Sequence, residues 1–124
     1  MAYSGQDRTR RIASEIRKQL AELLQHEADD PAFQGVTLTA ARVSRDLSCA
    51  TIYFTLMGEH EQDAGKEVMQ KLQHAAGYLR RQIARGMKIR TVPQLRFFYD
   101  ESIERASKIE NLIDRALHGN DFSG

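Results

Sequence analysis

The sequence predicts a single α+β domain spanning residues 1–124, with a core at about 7–117, and three observations carry that expectation. Apolar residues recur at helical spacing in several segments, whereas three short runs are rich in β-branched and aromatic residues. Their order along the chain is helix, strand, strand, helix, kink, helix, strand, helix. A chain of 124 residues with 41% apolar and 28% charged side chains is long enough to build one core without staples.

The first helix runs from about Asp7, a candidate N-cap, to about Ala28. Ile12, Ile16, Leu20, Leu23 and Leu24 mark its buried stripe. Two seven-spaced basic pairs, Arg10 with Arg17 and Arg11 with Lys18, flank that stripe. Long cationic stems beside an apolar stripe often do no more than cover it, so these rank second as nucleic-acid contacts. Asp29-Asp30-Pro31 ends the helix, because a residue before proline is pushed out of the helical region.

Gly35 opens a pair of strands, Val36–Val43 and Ala50–Met57. In the second, Ile52, Phe54 and Leu56 alternate with Thr51, Tyr53 and Thr55, the pattern of a sheet buried on one face. The link Ser44-Arg45-Asp46-Leu47-Ser48 is a hairpin connection, in which Asp46 is expected to bond nearby backbone amides. A lone Arg-Asp turn is usually only turn chemistry, so a functional role for Arg45 at that tip ranks second. Gly58 closes the hairpin, and the acidic run Glu59 to Asp63 suits a helix N-terminus.

A second helix starts near Gln62 with Val68, Leu72, Ala75 and Ala76 inward, and meets Gly77 in mid-pattern. An interior glycine costs a helix roughly 1 kcal/mol relative to alanine, so Gly77 marks a kink or a close backbone approach. The helix resumes through Ile89, and Val92-Pro93 stops it before a third strand, Gln94–Tyr99. Asp100-Glu-Ser102 caps a last helix with Ile103, Ala106, Ile109, Leu112, Ile113 and Ala116 as its apolar face, and His118 to Gly124 is a tail.

Charge is placed unevenly. The whole chain is formally +1, yet Arg80, Arg81, Arg85, Lys88, Arg90 and Arg96 fall between Tyr78 and Arg96 with no acidic residue among them. On a helix, Leu79, Ile83 and Met87 share one side, and Arg81, Arg85 and Lys88 the other. An ordinary exposed helix mixes both signs to form pairs four apart. This segment does not, which favours a polyanionic partner over a merely solvated face.

Little points to catalysis. The chain has no phosphate-binding glycine loop, no His-Glu-x-x-His and no Cys-x-x-Cys, and its four histidines are scattered over polar positions. No catalytic residue, metal or cofactor is expected. Acidic groups at helix ends are read as caps. The lone Cys49 is a small core residue, and one unpaired cysteine without a charged-then-apolar leader suggests a reducing, cytoplasmic setting. No run approaches the roughly 20 apolar residues of a membrane span, and no coiled-coil seam suggests more than a monomer.

Five short motifs, in order, resemble the bacterial ribosome-binding factor A family: Asp30-Pro31, Ser44-Arg45-Asp46-Leu47, Ala75-Ala76-Gly77-Tyr78, Val92-Pro93-x-Leu95-x-Phe97, and Asp100-x-Ser102. The likeness spans roughly residues 8 to 117. It implies a type II KH-like fold, a three-stranded sheet with helices on one face. A kinked helix-helix built on Ala75 and Gly77 (Ala-x-Gly) replaces the Gly-x-x-Gly loop of ordinary KH domains, since Arg80 stands three after Gly77. It further implies binding to the free 30S subunit and 16S rRNA, support for late maturation and 5′-end processing of that rRNA, importance in the cold, and assembly GTPases as further partners. Under it, Arg80, Arg81, Arg85, Lys88 and Arg90 would hold rRNA phosphates, with Arg45, Arg10 and Arg11 in support. Rival readings are a KH-like module for another RNA or for DNA, a protein-interaction module with a cationic helix face, and a small RNA-processing enzyme.

Overall fold

The computed structural model describes residues 5–26, 31–58 and 61–118. Four α-helices and three strands follow one another as α1 (Gly5–His26), β1 (Val36–Val43), β2 (Cys49–Leu56), α2 (Ala64–His74), α3 (Ala76–Gly86), β3 (Gln94–Tyr99) and α4 (Ser102–His118). A single 3₁₀ turn at Pro31–Phe33, not expected from the sequence, inserts the buried Phe33 under the domain. The sheet order is β1-β2-β3, with β1 and β2 antiparallel and β2 and β3 parallel. A parallel pair needs a crossover, and α2 and α3 provide it.

Alternation along the strands sorts the side chains. Ala50, Ile52 and Phe54 of β2 and Leu95 and Phe97 of β3 are buried together with Ile16 and Leu20 of α1, Leu72 of α2, and Leu79 and Ile83 of α3. A bulge between Leu38 and Ala40 keeps β1 in phase, so that Leu38 opposes Phe54 and Ala41 opposes Ile52 on the covered face. Gly65 sits where α2 begins against the Tyr99 ring, and a Cβ there would lie 2.6 Å from ring carbons. The free edge of β3 is closed by one side chain. The Gln73 amide donates to the Leu95 carbonyl (3.1 Å) and its Oε1 accepts from the Phe97 N–H (3.1 Å).

Several elements differ from the expectation. Asp7 lies in the first turn of α1 rather than capping it, and the end of that helix at 27–30 lies outside the described residues. The helical break falls at Ala75 (φ −85°, ψ 0°), with Gly77 already inside α3. Open space surrounds Gly77, with only the Arg81 guanidinium 3.7 Å from where a Cβ would be. No close backbone approach explains it.

Helix α3 is shorter than its apolar spacing suggests. It stops at Gly86, and Met87 is extended (φ −114°, ψ 140°), so Lys88 and Ile89 are not helical. Glycine is a poor helix former, and the extended Met87 still reaches the core, at 9% exposure.

The last helix behaves differently from the other three. Asp100 accepts a bond from the Ser102 N–H (2.9 Å), as a cap should, and from the Thr39 hydroxyl (2.9 Å). Yet Ile109, Leu112, Ile113 and Leu117 are 52–69% exposed, so the expected apolar face of α4 is not buried. Among the described residues, no helix is long and apolar enough to cross a membrane.

Candidate nucleic-acid interface

The cationic segment is divided between two kinds of backbone. Arg81 and Arg85 stand one turn apart on the exposed side of α3, opposite the buried Leu79 and Ile83. Beyond Gly86, exposure alternates: Met87 is buried, Lys88 exposed, Ile89 half-buried and Arg90 exposed. Lys88 and Arg90 are thus both presented to solvent on either side of the half-buried Ile89. Among the described residues, no carboxylate pairs with Arg81, Arg85, Lys88 or Arg90. Four cations line one continuous border without internal neutralisation.

Arg80 is placed otherwise. It is half-buried, and its Nε donates to the Val92 carbonyl at 2.8 Å. That bond ties α3 to the entry of β3 and so fixes both ends of the segment that presents Lys88 and Arg90. Arg80 is first a positioning residue.

The start of α3 adds a feature of its own. Ala75 provides no side-chain cap, and the first turn contains no acidic residue. The Arg81 guanidinium folds back over Gly77, placing a full charge beside the partial positive charge of a helix N-terminus. This is where a KH domain carries its Gly-x-x-Gly clamp.

The hairpin tip joins the same border. The Ser48 carbonyl accepts from the Gln94 N–H (2.9 Å), which brings the tip against the segment after α3. Arg8, Asp46, Leu47, Ser48, Arg90 and Pro93 are among the residues lining a cleft of about 380 Å³ there. Asp46 is turn chemistry, as expected. Its carboxylate accepts from the Ser44 hydroxyl (2.7 Å), the Ser48 hydroxyl (2.7 Å) and the Ser48 N–H (3.1 Å). The Ser48 and Ser44 hydroxyl bonds hold its pKa down at about 2. Leu47 completes the turn in the left-handed region at φ 61°. Arg45 is exposed beside it.

Arg10 is exposed but lines a shallow groove between α1 and β1 with Arg17, on the β1 side of its helix. Arg11 is also exposed. Arg8 was missed by the sequence reading, because only the contact between the hairpin tip and the start of α1 brings it near Arg90. Among the described residues, no group of three His, Cys, Asp or Glu side chains is placed to hold a metal ion.

The fold is a KH-like α+β domain, with exposed cations running from α3 into the segment after it and no carboxylate paired with them among the described residues. The family model for ribosome-binding factor A matches residues 8–113, and the chain belongs to that family. It is 46% identical over 110 residues to the ribosome-binding factor A of Chromohalobacter salexigens, covering 89% of this chain and 84% of that one. Among solved structures, a Thermotoga maritima protein described as a ribosome-binding factor A superposes with a TM-score of 0.64 at 31% identity, covering 78% of this chain and 91% of that one. A homology model of the Thermus thermophilus factor, fitted into an electron-microscopy map of a 30S complex, gives a TM-score of 0.57 at 28% identity, covering 72% of this chain and 91% of that one.

Proposed function

We propose that this protein is an assembly factor for the small ribosomal subunit, binding free 30S particles through 16S rRNA. The observation that carries the reading is the border formed by Arg81, Arg85, Lys88 and Arg90, exposed and without carboxylate partners among the described residues. Exposed cations held on a packed scaffold suit the backbone of structured RNA, whose shape is recognised through phosphates and 2′-hydroxyls. The Thermus relative's association with a 30S particle supports the choice of partner.

In this reading Arg80 holds the border in place, and Arg45 and Arg8 extend it at the hairpin tip. Arg10 and Arg11 give weaker support from α1. The protein acts as a cytoplasmic monomer and without catalysis. It stabilises a local rRNA conformation while 5′-end processing is completed by nucleases and assembly GTPases remodel the particle. Trapped RNA helices are harder to escape as thermal energy falls, which makes such a factor most important in the cold.

The test is sedimentation with purified subunits. The wild-type chain is expected to co-migrate with free 30S particles and to be absent from translating ribosomes. The Arg81→Glu/Arg85→Glu/Lys88→Glu variant, folded by circular dichroism, should lose that co-migration. Unchanged binding would move the interface elsewhere and favour a protein-docking module.

A further inference from the structure

The face of the sheet turned away from α1, α2 and α3 has an organisation that the cationic border does not explain. Register across the strands sets out its rows. Ala40, Tyr53 and Phe98 form one row; Arg42, Thr51 and Arg96 form the next. The Tyr53 and Phe98 rings lie 6.0 Å apart between centroids and tilted by 32°. Phe98 is 44% exposed, Arg42 and Arg96 are exposed, and Tyr53 is half-buried. The described side chains of α4 from 105 to 117 are all exposed, so that stretch of the helix does not cover the row.

A cross-strand aromatic pair by itself needs no ligand, since such pairs steady a sheet. Here, however, the flanking residues are small or cationic. Ala40 and Thr51 leave the rings approachable from the side. Arg42 and Arg96 lie about 7 Å further along the strands, with no carboxylate partner among the described residues. At the opposite end of this face Asp100 already accepts bonds from Thr39 and Ser102. The face thus runs from a committed carboxylate, through two aromatic rings, to two available guanidinium groups.

We infer that this face binds single-stranded RNA, with bases stacked on Tyr53 and Phe98 and backbone phosphates held by Arg42 and Arg96. Stacking platforms next to cations are how sheets take up unpaired nucleotides, whereas duplexes keep their bases out of reach. The site lies on the opposite side of the sheet from α3, so it does not depend on the border described above. It gives one small domain two RNA surfaces, one for a folded backbone and one for a loose strand.

The experiment titrates the full chain with an unstructured ten-nucleotide RNA, its DNA counterpart and an RNA duplex, following the ring resonances of Tyr53 and Phe98 by NMR and affinity by fluorescence anisotropy. The single strands should shift both rings, and the duplex should not. A preference for RNA over DNA would assign a role to the 2′-hydroxyl, and equal binding would assign the site to single strands of either kind. Phe98→Leu, which keeps an apolar residue but loses the π-face, should weaken binding about tenfold. Tyr53→Phe should retain it, and Arg42→Gln/Arg96→Gln should weaken it and flatten its salt dependence. Shifts confined to α3, or a self-association abolished by Phe98→Leu, would overturn the inference. Failure of the α3 border is read separately, in the sedimentation of its charge-reversed variant.

Discussion

Two neighbouring arginines show how differently one residue type can serve. Arg80 donates from Nε to a backbone carbonyl and is half-buried, whereas Arg81 is exposed with its guanidinium over Gly77. Removing Arg80 leaves the Val92 carbonyl without its charged donor, so Arg80→Ala should destabilise the fold by about 1.5 kcal/mol. Arg81→Ala should stay within about 0.5 kcal/mol, and urea unfolding of the two variants measures the contrast. Asp46 makes a prediction in pH. Its folded pKa, near 2, lies below the ordinary 3.8, so its contribution is present above about pH 4 and fades as pH falls through 2. The stability gap between wild type and Asp46→Asn, followed by thermal melts from pH 5 downward, should therefore close toward pH 2.

At the scale of elements, strands β1 and β3 were legible residue for residue, because Val36–Val43 is rich in β-branched residues and Gln94–Tyr99 is a short apolar run after Pro93, whereas the bulge that breaks alternation after Leu38 was not. Ends of helices were less so. Met87 satisfies the helical spacing of Leu79 and Ile83 and is buried as that spacing requires, yet it reaches the core from an extended backbone. Periodicity could not separate those two routes. The same blindness affects α4: its apolar stripe is plain in the sequence, but a stripe does not say what lies against it. Of the cationic residues, Arg81, Arg85, Lys88 and Arg90 face solvent as the pattern suggested, while the bond that commits Arg80 depends on a loop path no local pattern encodes. Packing between elements is equally hidden in Gly65, whose missing side chain admits the Tyr99 ring. Gly65→Ala would raise the helix propensity of α2 but overpack that contact. It should destabilise by about 1–3 kcal/mol, which calorimetry on the purified variant would register as a lower Tm.

For the molecule as a whole, net charge is a poor guide to partners. The chain is formally +1, yet four cations gather on one border with the excess of acid elsewhere, so attraction to a polyanion comes from distribution rather than from total charge. If those four neutralise phosphates, the log–log slope of affinity for 30S particles against salt should be about −3 to −4. Binding assays from low to moderate salt would measure it. A slope near zero would mean that attraction between opposite charges does not hold the complex together.

The amide of Gln73 has a consequence for the company this protein keeps. By occupying the Leu95 carbonyl and the Phe97 N–H it stands in for a fourth strand, at the margin where another polypeptide would otherwise add itself to the sheet. One glutamine thereby blunts that margin of the sheet in a crowded solution, while the opposite margin, along β1, carries no such plug among the described residues.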